Sequence, residues 1–257
     1  MAAFEIIFLG TCACDFSPRL KGDCKDRFDK DVRRSSSILM NGHILVDCGP
    51  HTIGSLAIVG TPLASVTDIF LTHLHDDHFD AENIGRIASA KGEKLRLWVR
   101  EDAQFPPIAN TEVVRMRIGR RYDARDGTMV TPLAANHTAY PQHFIFERGG
   151  KKVFYGLDGA WVLTDSFRAM RRQQFDLLIL DGTVGDYDGD LRISEHNSIP
   201  MVRMLLKSFA AVGITGPSSQ VYLSHLAPSL HRPHAETEEI CIAFGAHAAY
   251  DGLKLSV

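Results

Sequence analysis

The chain has 257 residues, of which 45% are hydrophobic and 23% charged, and a formal net charge of −3. That length can bury a sizeable core without disulfide staples, and the composition excludes disorder, collagen and coiled coil. The mild negative charge excludes a strongly basic nucleic-acid-binding surface. In chain order, Phe4 to Leu9 is a short apolar run ended by Gly10 and predicts a strand. A long polar loop follows from Thr11 to Arg34. Ser37 to Met40 and His43 to Val46 flank Asn41-Gly42, a strong hairpin signal. Strands are predicted at Asp68 to Thr72, Leu95 to Val99, Met129 to Leu133 and His143 to Phe146, and then at Lys152 to Tyr155, Leu177 to Leu180 and Val221 to Leu223. Helices are predicted at Ala81 to Ala90, Thr164 to Arg172, His196 to Ala211 and Glu236 to Phe244. Strands dominate the first half and alternate with helices in the second, which suits a layered α/β domain of one or two sheets covered by helices. No linker or repeat divides the chain, so residues 1–257 are expected to form one domain.

The N-terminal Met-Ala-Ala-Phe-Glu-Ile-Ile-Phe-Leu-Gly has no basic region and no cleavage site. No window holds the roughly 18 apolar residues of a transmembrane helix, so no membrane partner is expected. The five cysteines, Cys12, Cys14, Cys24, Cys48 and Cys241, are odd in number and do not form a disulfide framework. A reducing cytoplasmic setting is expected. Cys12, Cys14 and Cys24 offer too few ligands for a complete accessory zinc site.

The unusual feature is the 12 histidines, three of which fall in Thr72-His73-Leu74-His75-Asp76-Asp77-His78. Residues two apart in an extended segment face the same way, so His73 and His75 are expected to converge, with Asp77 and His78 turned toward a second point. Imidazole and carboxylate suit zinc, manganese or iron. Desolvating that many imidazoles without a metal or partners would be costly. The cluster alone leaves one site or two open, since four ligands fill a tetrahedral site but a catalytic site keeps an open position. Further ligands stand at later strand ends: His137 after the strand ending near Leu133, Asp158 after Tyr155, and His225 after Leu223. Singly, each reads first as a core histidine or a helix-capping aspartate; their recurrence at successive strand ends points to a shared site.

With Leu9 to Thr11 and Leu45-Val46-Asp47-Cys48-Gly49, these residues fall in the order seen in the metallo-β-lactamase superfamily of hydrolases, which the chain resembles over nearly its whole length. The resemblance implies a four-layer αβ/βα sandwich. It implies one metal site from His73, His75 and His137, and a second from Asp77, His78 and His225, with Asp158 bridging two divalent ions (Zn2+ or Mn2+, with Fe2+ as an alternative). Asp47 would be a buried acceptor orienting a ligand imidazole, as such ligands usually require. The Arg33-Arg34-Ser35-Ser36-Ser37 stretch and the long loop before it are similar to the phosphodiesterase branch. That branch includes ribonuclease Z and the phosphodiesterase acting on phosphoribosyl 1,2-cyclic phosphate. Many members carry a cysteine-rich accessory zinc site; here only Cys24 lies at the corresponding place, and Pro228 stands where a late histidine would be. The residues around the bridging position, Leu157-Asp158-Gly159, depart from the branch's usual Ser-Asp-Thr but keep the aspartate.

Five neutral histidines and two carboxylates around two divalent ions carry a formal +2, a centre that favours an anionic electrophile such as a phosphodiester. Two such ions lower the pKa of bound water toward about 7, so metal-bound hydroxide is the expected nucleophile and Asp77 its orienting acceptor. His196, in Ser194-Glu195-His196-Asn197-Ser198 at the predicted helix start, is the candidate general acid; the alternative is a surface histidine of the first turn. Arg34, Arg192 and Arg232 are candidate phosphate binders. His231 and His234 are expected outside the ligand set. The expected substrate is a small phosphodiester, linear or cyclic. A ribonuclease Z-like nuclease, a lactone or thioester hydrolase, and a non-catalytic metal-binding accessory protein are the alternatives. His137 and Asp158 stand 21 positions apart, too few for the long substrate-gripping arm usual in ribonuclease Z, so nucleic acid is not the expected partner. A homodimer is compatible with the sequence.

Overall fold

The computed structural model describes residues 3–257; Met1 and Ala2, which open the N-terminal reading above, lie outside the described residues. The chain forms β1 (Glu5–Gly10), β2 (Ser37–Met40), β3 (Ile44–Val46), α1 (Thr52–Ile58), β4 (Asp68–Phe70), α2 (Ala81–Ser89), β5 (Leu95–Arg100) and β6 (Thr111–Met116). Then come β7 (Tyr122–Asp123), β8 (Met129–Ala134), β9 (Gln142–Arg148), β10 (Lys151–Gly156), α3 (Thr164–Met170) and β11 (Leu177–Asp181). It ends with α4 (Ile199–Ala211), β12 (Gln220–Ser224), α5 (His234–Ile242), β13 (His247–Ala248) and β14 (Lys254–Ser256). Two seven-stranded sheets result, ordered β14-β1-β2-β3-β4-β5-β6 and β13-β12-β11-β10-β9-β8-β7.

Alternation along the strands sets the layers. In β1 and the residue before it, Phe4, Ile6 and Phe8 point into a core shared with Phe144, Phe146, Val153 and Tyr155 of the other sheet. Leu9 points the opposite way, into a second core with Leu56 of α1 and Ile84 and Ile87 of α2. A third core joins the outer face of the second sheet, through Phe154, Leu178 and Leu223, to α3, α4 and α5. Helices therefore cover both outer faces, giving the αβ/βα sandwich.

The Asn41-Gly42 turn forms with both residues at positive φ, 53° and 73°, as a tight hairpin turn demands. Its second strand begins at Ile44 rather than His43. The helix expected from His196 begins only at Ile199: the Ser198 hydroxyl accepts from the Met201 N–H, and Pro200 sits in the first turn. Both are start signals. His196 therefore lies in a connecting loop, after a short 3-10 turn over Leu191–Ser194. Two elements carry no strong periodicity. Edge strand β6 exposes much of its Thr-Glu-Val-Val-Arg-Met sequence, and α1 carries Gly54 within seven residues.

From β3 to β6, and from β10 to β13, neighbouring strands run parallel. Parallel α/β sheets present their binding crevices beyond the carboxyl ends of the strands. Asp47, Thr72-His73, Asp158, Asp181 and His225 all fall at or just beyond such ends.

Candidate metal centre

The centre begins with Asp47, which follows β3 at φ 65° and is fully buried. Its carboxylate accepts from the Thr72 N–H at 2.8 Å and from the Thr72 hydroxyl at 2.9 Å. His78 Nδ1 lies 2.9 Å away and, facing a carboxylate, must carry the proton. His78 is thereby locked with Nε2 turned inward. The Thr72 hydroxyl, already donating to Asp47, accepts from His73 Nδ1 at 3.0 Å, so His73 also turns Nε2 inward. On the opposite sheet, the Thr183 hydroxyl donates to Asp181 at 3.2 Å and accepts from His225 Nδ1 at 2.7 Å. His225 Nε2 then faces the same interior. Ligand imidazoles are usually held in this way through their outer nitrogen.

Two groups of inward atoms result. His73 Nε2 lies 3.0 Å from His75 Nδ1, which lies 3.2 Å from His137 Nε2. Asp77 Oδ2 lies 3.4 Å from His78 Nε2 and 3.3 Å from His225 Nε2. Asp158 stands between them: Oδ2 is 2.7 Å from His78 Nε2 and 3.2 Å from His225 Nε2, while Oδ1 is 3.7 Å from His137 Nε2. The outward nitrogens of His73, His78 and His225 are held as donors, so lone pairs converge at short range. His78 Nε2 and Asp158 Oδ2 are both buried without a hydrogen bond. Such a donor set is costly to bury and fits divalent cations, whose charge the converging lone pairs would satisfy.

The electrostatics agree. Burial works against the charged forms of His78 and Asp158, but mutual attraction prevails. The carboxylates of Asp158, Asp77 and Asp47 hold the His78 imidazole well above its usual range. His225, His78 and His73 hold the Asp158 carboxyl well below its own. Burial and the neighbouring imidazoles push His73 well below the usual value. A field that raises His78 is one that favours positive charge, whether a proton or a metal ion.

Asp181 has no part in the sequence-level site. It is fully buried at the end of β11, and its carboxylate accepts from His196 Nδ1 at 2.9 Å and from the Asn197 and Thr183 N–H groups at 3.0 Å each. Its placement at the end of an apolar strand, before Gly182, is the same signal that marked Asp158. His196 lies with Nδ1 3.5 Å from Asp158 Oδ1, and its ring stacks on that of His225. Burial would lower its pKa, but Asp181, Asp158 and Glu195 outweigh that and raise it to about 9.

A cavity of about 270 Å3 opens over these groups, lined by His75, Asp77, His137, Asp158, His196 and His225, with Arg192 in its wall. Arg192 is held by Asp190 through two bonds of 2.7 and 2.8 Å. Arg34 and Arg232 are elsewhere: Arg34 is buried against Asp251 and the loop carbonyls of Cys24 and Arg27, and Arg232 pairs with Glu236 on the surface. His231 donates toward the Gly182 carbonyl at 2.7 Å, and His234 lies beside Arg33. Cys12 and Cys24 are buried and Cys14 is exposed; Cys24 packs in a small cluster with Leu20 and Val32. No helix among the described residues is long and apolar enough to cross a membrane.

Among solved structures, the chain is similar to a diphosphatase from the PhnP family, with a TM-score of 0.74 and 19% identity, over 99% of this chain and 98% of that one. It is also similar to the short form of human tRNase Z, with a TM-score of 0.69 and 18% identity over 98% and 99% of the two chains. A third relative in fold is Zn2+-bound PqqB from Methylobacterium extorquens, with a TM-score of 0.67 and 16% identity over 98% and 100%. No curated protein matches the chain. The family described as the β-lactamase superfamily domain matches residues 43–225, well over half of the sequence and every inward-facing residue of the centre, and the chain belongs to that family.

Proposed function

We propose that the chain is a metal-dependent hydrolase of small phosphodiesters. The observation that carries this reading is the position of Asp158, which turns one oxygen to the His73–His75–His137 group and the other to the Asp77–His78–His225 group. Those seven residues would hold two divalent ions, zinc or manganese, with iron as the alternative, Asp158 reaching both. Two such ions supply Lewis acidity and activate water at neutral pH.

The chain's own residues supply the rest. Five neutral imidazoles and two carboxylates leave two divalent ions with a formal +2, and a protonated His196 balances Asp181. At the ions themselves an anionic diester is therefore favoured, while Asp15 and Glu195 place two acids farther along the wall. Asp77, on the cavity wall, accepts a hydrogen bond from the attacking water and fixes its direction. His196 directs Nδ1 to Asp181, which leaves Nε2 as the acid that protonates the departing oxygen. Cations bound nearby would draw its pKa from about 9 back toward neutrality. Arg192, pinned by Asp190, adds the one Lys or Arg side chain of the cavity wall. The volume of about 270 Å3 suits a phosphate and its nearest substituent atoms.

The protein is to be stripped with chelator, reconstituted with Mn2+, Zn2+ or Fe2+, and assayed with bis(p-nitrophenyl) phosphate. Metal-dependent release of p-nitrophenol is expected; no turnover with any of the three metals overturns the proposal.

A further inference from the structure

The cavity over the metal centre holds little beyond a phosphate, yet two larger clefts adjoin it. One, of about 760 Å3, meets it at Ser229; there Arg232 pairs with Glu236, Arg203 lies near Asp186 and over the Phe244 ring, and Glu239 adds an acid without an ion pair among the described residues. The other, of about 800 Å3, meets it at Cys14 and Asp15 and is lined by Phe16, Pro18, Lys21 and His51. This second cleft has a different character. Phe16 and His51 form an edge-to-face pair with centroids 4.6 Å apart. Burial, with Arg34 and Lys21 nearby, lowers the His51 pKa to about 4, so its ring is uncharged at neutral pH. Lys21 is exposed and makes no ion pair among the described residues, and the one acid on the cleft wall, Asp15, sits at the junction with the metal centre.

We infer that this cleft is the subsite for one substituent of the diester, and that the substituent carries an aromatic heterocycle and a second anionic group, as a nucleotide does. The inference rests on the phosphodiesterase reading and specifies its substrate class. The scissile phosphate lies over Asp158 and His225, the ring packs against Phe16 and His51, and Lys21 meets the second anion. Ring contacts of this kind favour edge and offset geometries, and Lys21 acts as a screened surface charge whose contribution falls with salt. The 3-10 turn over Pro18–Lys21, capped by the Ser17 hydroxyl, fixes the wall that carries Lys21.

The test is equilibrium binding by calorimetry to the metal-loaded and the metal-stripped protein. The probes are ribose 5-phosphate, adenosine 5′-monophosphate and adenosine 3′,5′-bisphosphate. The monophosphate is expected to bind about tenfold more tightly than ribose 5-phosphate, and the bisphosphate several-fold more tightly again at low salt. Phe16→Leu, which keeps apolar packing against Leu20 and Cys24, should erase the first difference and spare the second. Lys21→Glu, at an exposed position, should erase or reverse the second and spare the first. Equal affinity of all three probes overturns the subsite, as does a preference that both variants retain. If bis(p-nitrophenyl) phosphate is hydrolysed while the probes bind equally, the subsite falls and the hydrolase reading stands. If neither is observed, both fall.

Discussion

Of the side chains around the centre, His196 and Asp181 separate most clearly by role. His196 touches the cavity but is not one of the seven inward-facing residues in the two groups. His196→Ala should lower kcat by about 10²- to 10⁴-fold while metal content, measured by inductively coupled plasma spectrometry, stays intact. Lost metal would make His196 a ligand or a structural residue instead. In the proposed mechanism Asp181 acts through His196, whose Nδ1 it holds at 2.9 Å. Asp181→Asn removes the carboxylate that raises the His196 pKa. An acid with a lower pKa is deprotonated at lower pH, so the alkaline limb of the kcat profile should move toward acid. A variant profile that superimposes on the parent would show that Asp181 only supports the loop. The histidine cluster was legible because three imidazoles in six positions have few uses besides metal. Asp181 carries the strand-end signal of Asp158, but a lone aspartate there also reads as an ordinary turn residue, and only the fold brings it within 2.9 Å of His196.

At the level of elements, the centre is assembled where strands stop. Asp47, Asp158 and His225 follow β3, β10 and β12, and each has positive φ, at 65°, 53° and 57°. Left-handed backbone at non-glycine residues is uncommon and concentrates at functional sites; here it turns the side chain out of the strand and into the shared interior. Gly49 serves the same end: a Cβ there would lie 1.9 Å from the Asp77 carbonyl oxygen. Gly49→Ala should therefore displace the 73–78 loop, weaken metal binding at least tenfold in a chelator competition, and cost about 2–4 kcal/mol in urea unfolding, as overpacked and strained sites do. Strand identities were readable from apolar runs, and the hairpin from Asn41-Gly42. The start of α4 was misplaced at His196, within the polar Glu195-His196-Asn197-Ser198 run, whereas Ser198 as cap and Pro200 in the first turn mark the boundary. β6, α1 and the two- and three-residue strands β7, β13 and β14 were missed because a half-exposed edge strand, a seven-residue helix and such short strands have too few buried positions to set a period.

For the molecule as a whole, buried histidines set the response to acid. Burial pushes the imidazoles of His143 and His231 down to about 4. Both are neutral in the fold, so their contribution is full above pH 6.5 and is lost as pH falls toward 4, on the order of 3 kcal/mol each. Asp251 works in the opposite sense. Burial raises its carboxyl to about 6, so the fold gains on acidification through that value and offsets one histidine. His51, also lowered to about 4, adds to the loss, so the net expectation is a fall in stability between pH 7 and 4.5, measured by urea unfolding of chelator-treated protein. His231→Gln, which can still donate to the Gly182 carbonyl, should flatten that slope; an unchanged slope would remove His231 from the account.

The inward-facing residues are also divided between the two sheets. His73, His75, Asp77 and His78 follow β4 of one sheet, while His137, Asp158 and His225 follow β8, β10 and β12 of the other. Cations held between them would act as a clasp across the sandwich, as a disulfide does in a secreted domain. The consequence is kinetic. The halves cannot part without releasing the clasp, so the unfolding rate in denaturant should slow by orders of magnitude on metal loading. Stopped-flow unfolding with and without chelator reads that rate directly, and equal rates would mean that the ions sit within one half of the molecule.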